Sequence, residues 1–81
     1  MIYEDELDSC LWSAKRLTYH ADNNRRRGRF YVAISYYQEA LLAAISGLRI
    51  SEDNIAIREC ADLIAYLADG MQQSAEGLWH V

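Results

Sequence analysis

Eighty-one residues run without a single proline and with only four glycines. Tight turns depend on these two residue types, so strands joined by hairpins are poorly served by such a chain. Long helices with few joints remain, and the spacing of the apolar residues agrees. Leu7, Cys10, Leu11, Ala14, Leu17, Thr18 and Ala21 recur three and four apart, which places them on one face of a helix over about 4–23. Acidic residues crowd its start (Glu4, Asp5, Glu6, Asp8), as the helix dipole favours, and Asn23 and Asn24 supply a stop.

A second helix, over about 29–49, aligns Phe30, Ala33, Ile34, Tyr37, Leu41, Ala44, Ile45 and Leu48, with Val32, Tyr36, Ala43 and Gly47 as an adjoining apolar strip. Its apolar arc is more than half the helix wide, which suits a central helix gripped by two neighbours. Ser51, followed by Glu52 and Asp53, reads as the N-cap of a third helix over about 52–76. Its stripe is Ala56, Ile57, Cys60, Ala61, Ile64, Leu67, Ala68 and Met71. Gly70 costs this helix up to ~1 kcal/mol unless close packing uses it. Gly77 reads as its stop, with Leu78, Trp79 and Val81 folding back on the body. Short joints make consecutive helices antiparallel neighbours, so the expected fold is a single all-α domain over 1–81, an antiparallel three-helix bundle. The surplus apolar surface of the second helix points to completion by homodimerisation, with Val32, Tyr36, Ala43 and Gly47 as the self-interface.

Hydrophobic residues at 52% and charged residues at 25% give a globular balance. An acidic start is unlike a signal peptide, and the longest apolar runs, 40–45 and 63–68, fall far short of a membrane span. A cytoplasmic protein that does not enter a membrane is the expectation. Cys10 and Cys60 lie in apolar stripes without close pairing, and read as two buried thiols, a disulfide between them being the alternative.

Catalytic chemistry has little to work with. His20 and His80 are the only imidazoles, and no nucleophile sits in a strained glycine-flanked elbow. Zinc would have to gather Cys10, Cys60, His20 and His80 from scattered positions, whereas structural zinc sites take ligands in close pairs. Gly28 stands alone where a phosphate-cradling loop needs several glycines and a lysine. The expectation is a protein that is not an enzyme and holds no cofactor or metal.

Charge is unevenly placed. Between Lys15 and Arg29 six bases (Lys15, Arg16, Arg25, Arg26, Arg27, Arg29) face one acid, Asp22, while the rest of this net −4 chain holds eleven acids against Arg49 and Arg58. Trp12 and Tyr19 lie seven residues apart on the charged face of the first helix, beside Lys15 and Arg16. Aromatic residues with arginines dominate interface energetics, and arginine forks grip carboxylate or phosphate. Trp12, Lys15, Arg16, Tyr19, Arg25, Arg26, Arg27, Arg29 and Tyr31 are therefore the expected partner-binding set. Four arginines opening the second helix would oppose its dipole, which suggests a use outside the fold.

Tyr36-Tyr37-Gln38-Glu39-Ala40-Leu41 resembles the second helix of a tetratricopeptide unit, but it does not recur, and such arrays need about three repeats. Arg29-Phe30-Tyr31 leading into Tyr36-Tyr37 and Ala40-Leu41-Leu42 resembles a helix of the HEPN group of helical nucleases and substrate-binding domains. The nuclease form of that group has a histidine four to six residues after its arginine, and none follows Arg29, so the resemblance implies no ribonuclease activity. The functional expectation is a small acidic protein-binding module, an accessory regulator of bacterial or phage type, that docks on and modulates or inhibits a larger protein. Nucleic-acid binding through residues 15–29 and a structural, self-associating bundle subunit are the alternatives.

Overall fold

The computed structural model describes residues 2–80, with side chains from Glu6 onward, so the side chains of Glu4 and Asp5, and Val81, lie outside the described residues. The chain forms α1 (Ile2–Arg26), α2 (Phe30–Ile50) and α3 (Asn54–Trp79). They pack as an antiparallel three-helix bundle drawn out into a flattened rod of 47 × 17 × 14 Å. Both outer helices lie along α2, and they approach each other at only a few points. Among the described residues, no helix is long and apolar enough to cross a membrane.

The first joint falls later than the asparagines suggest. Asn24 stays helical and its side-chain amide donates to the His20 carbonyl at 2.8 Å. The chain turns at Gly28, whose φ of 77° is open to glycine and strained for other residues. Gly28 N–H donates to Arg25 O (3.0 Å) and Arg29 N–H to Asn24 O (2.8 Å), the pair of reverse bonds that closes a helix C-terminus around a left-handed glycine. Arg25 and Arg26 consequently belong to the last turn of α1, where cations agree with the dipole. The expected conflict of four arginines with the start of α2 is reduced to Arg29, which occupies the N-cap.

At the second joint Ser51 closes α2 rather than opening α3. Its hydroxyl donates back to Gly47 O at 2.7 Å. Asp53 is the N-cap, with its carboxylate accepting from Ala56 N–H at 2.8 Å. A charged acceptor suits the positive end of the helix better than a hydroxyl. Nor does Gly77 stop α3, because it faces the Phe30 ring, and a Cβ there would lie 2.6 Å from ring carbons. Helix continues to Trp79, which stands 88% exposed instead of folding back.

The core is built largely from alanine: Ala14, Ala21, Ala33, Ala40 and Ala44 are fully buried around Tyr37 and Leu67. Small residues let the helix backbones approach closely. Gly47 lies where all three helices meet, against Cys60 Sγ, Cys10 Cβ and Leu7 Cδ1. That burial removes Gly47 from the expected self-interface. Cys60 is buried, Cys10 half-buried, and both are free thiols.

On α3 the buried line is Ala56, Cys60, Leu67, Gly70 and Ser74, whereas Ile57, Ala61 and Ala68 of the expected stripe are exposed. The reason is steric. Tyr37 is the largest fully buried side chain, and it needs the absent side chain of Gly70, where a Cβ would come 2.6 Å from its ring. α3 therefore sets small residues, Gly70 and Ser74, in the buried line beside Leu67, while Leu63, Ile64 and Met71 pack against the core from the edges.

Candidate functional site

Trp12, Arg16 and His20 follow one another at four-residue intervals, so they form one ridge along α1. Ser13 and Leu17 fill in beside them, and Tyr36 of α2 forms the opposite wall of a cleft of about 310 Å³. Trp12 is 63% exposed, and the C-terminal segment does not cover it. The guanidinium carbon of Arg16 lies 5.4 Å from the Trp12 ring centre, a cation–π contact that holds a charge beside an apolar plate. Deeper in the cleft the His20 and Tyr36 rings are 5.4 Å apart, and exposed Tyr19 meets His20 edge-on at 5.8 Å. A hollow bounded by Val32, Ser35, Tyr36 and Glu39 continues the groove toward the first turns of α2. The cleft thus combines stacking surfaces, one cation and an imidazole, a set suited to gripping an apolar or aromatic side chain next to a carboxylate.

The other expected partner-binding residues are scattered. Lys15 points to the opposite flank of α1, where its ammonium meets Glu59 of α3 at 2.8 Å. This pair is exposed and contributes little to stability. Arg26, Arg27 and Arg29 are exposed at the joint end, and Tyr31, 76% exposed, stands beside them on α2 and outside the cleft. Of the expected self-interface, Val32 is exposed, while Tyr36 and Ala43 are half-buried.

Arg25 is a structural residue, contrary to expectation. Asp22 accepts from the Tyr37 hydroxyl through one carboxylate oxygen and from the Tyr66 hydroxyl, at 2.7 Å, through the other. Arg25 Nε donates to Tyr37 Oη at 3.0 Å, and its Nη1 donates to Gln73 at 3.3 Å. Its Nη2 lies 3.7 Å from Asp22. One carboxylate and one guanidinium thereby tie α1 to both neighbours at the joint end. The bond to Tyr37 raises the pKa of Arg25. Burial, then the bond to Asp22, pushes Tyr37 above its ordinary value; for Tyr66 the bond to Asp22 comes first and burial second. Arg25, Tyr37 and Tyr66 are protonated at neutral pH at their ordinary values, and these shifts extend that range upward.

Of the residues expected from the sequence, Trp12 and Arg16 line the cleft and Tyr19 stands beside it, whereas His20, four residues beyond Arg16, was not among them. The place of Tyr36 in the same wall required knowledge of how α1 docks on α2. Among the described residues, no three His, Cys, Asp or Glu side chains gather as a metal site. The chain matches no protein-family model, no curated protein and no solved structure.

Proposed function

We propose that the protein is a non-catalytic binding module, an accessory regulator of bacterial or phage type working as a homodimer, which docks on a larger protein and modulates or inhibits it. The observation that carries this reading is the cleft itself: Trp12 exposed on α1, stacked by Arg16 and continued by His20 and Tyr36. A solvent-facing tryptophan with an arginine over it and no cover from the other described residues is the composition of an interface anchor. The matching partner surface presents an apolar or aromatic side chain beside a carboxylate.

Comparative affinity capture tests it. A Trp12→Ala, Arg16→Ala double variant with unchanged helicity is expected to lose the protein that the wild type retains. Retention of every captured protein by the folded variant would sink the proposal. Nucleic-acid binding ranks second, because Arg25 is engaged inside the fold and the remaining exposed arginines at the joint belong to a chain of net charge −4. A salt-sensitive gel shift at 50 mM salt would reverse that order.

A further inference from the structure

One face of α3 is apolar from end to end and only partly used by the chain's own packing, which Ile64 and Met71 reach from its inner edge. Ile57, Ile64, Met71 and Leu78 recur every seventh residue, and Ala61, Ala68 and Ala75 recur with the same period between them. Ile57, Ala61 and Ala68 are exposed, and the others are half-buried. Neither a charge nor a polar group interrupts the line. The α3 residues that reach α1, namely Glu59, Tyr66 and Gln73, lie on the opposite flank of the helix. A period of seven, in place of the looser 3.6 of an ordinary buried face, is the seam that a helix offers to another helix.

We infer that this seam is the homodimer interface, with α3 of one copy antiparallel to α3 of a second; the inference rests on the proposal above that the chain pairs with itself. The sequence of sizes selects the occupant and its direction. With a two-fold axis passing between Asp69 and Gly70, Ala68 faces Met71 of the second copy, Ala75 faces Ile64, and Ala61 faces Leu78. These layers each set an alanine against a large side chain, with Ile57 beyond the last of them, and the symmetry repeats each layer reciprocally. A parallel, in-register pair would set alanine on alanine and leave voids between the large layers.

Antiparallel pairing brings Arg58, at the N-terminal end of the seam, beside Trp79 and toward the opposite charge of Glu76 of the second copy. The 88% exposure of Trp79 in the single chain is thereby covered by the arginine stem. The Trp12 cleft lies between α1 and α2 and shares no residue with the seam, so the dimer leaves it open.

Sedimentation equilibrium at micromolar concentrations separates the outcomes. The wild type is expected to be a dimer at both 50 and 500 mM salt, because an apolar seam is not screened. Ala68→Glu, at an exposed position, is expected to raise the dissociation constant at least 100-fold. Trp79→Ala, at the rim and outside the chain's own packing, is expected to raise it about tenfold with helicity unchanged. Val32→Glu, on the strip that the sequence first suggests, is expected to leave the dimer intact. A wild-type monomer at every concentration would overturn both the homodimer and this interface. A dimer that withstands both Ala68→Glu and Trp79→Ala, or one dissociated by Val32→Glu alone, would overturn the interface and leave the homodimer standing.

Discussion

At the scale of single residues, Tyr37 carries more of the structure than any other side chain. It fills the core, fits over Gly70, and links Asp22 to Arg25. Tyr37→Phe keeps the ring and removes the hydroxyl, leaving one carboxylate oxygen and one guanidinium N–H without their partner. A loss of about 1–3 kcal/mol in denaturant unfolding is expected. The pH dependence has a definite sign. Tyr37 and Tyr66 have folded pKa values above the ordinary value of about 10, so above that pH the unfolded chain releases protons that the folded chain retains. Their stabilisation is fully present at neutral pH and lost as pH rises from the unfolded value through the folded ones. Chemical denaturation between pH 8 and 11 should show a fall confined to the upper part of that range, and the double change Tyr37→Phe, Tyr66→Phe should flatten it. Trp12→Ala, by contrast, should shift stability by less than about 0.5 kcal/mol, as at other exposed positions.

At the scale of helices, the glycines and caps decide how elements begin, end and dock. Gly70→Ala would stabilise an isolated helix by ~1 kcal/mol. Here the new methyl would meet the Tyr37 ring, which Asp22 and Arg25 hold in place, and overpacking of this kind costs about 1–3 kcal/mol. A lowered melting temperature is the expected outcome, and a raised one would mean that Tyr37 gives way. Asp53→Ala should cost about 1 kcal/mol, and more than Ser51→Ala, because Asp53 alone caps α3. Periodicity made the three helices and their order legible in the sequence. It did not reveal which glycine stops a helix: Gly28 does so through its positive φ, while Gly77 is drawn into α3 by Phe30. The phase of α3 was also hidden. Hydrophobic spacing weights Ile57 and Ala68, whereas docking on Tyr37 selects Gly70 and Ser74, and that choice depends on a side chain more than thirty positions away.

At the scale of the molecule, a rod with a central α2 offers two surfaces with different chemistry. One is the aromatic and cationic cleft of Trp12, Arg16, His20 and Tyr36 between α1 and α2; the other is the uncharged seam of α3. The cleft was half legible, because exposed aromatics beside arginines are visible as sequence. The arginine run was misleading, since charge alone does not say that Arg25 turns inward to Tyr37 and Gln73. Division of labour between the faces is tested most directly by photo-crosslinking in cells, with a benzophenone side chain placed at position 12 or at position 68. Position 12 is expected to yield an adduct with a different protein, and position 68 an adduct of twice the chain's own mass. If position 12 yields only the self-adduct or none while the chain remains folded, the cleft is not a docking site for a larger protein.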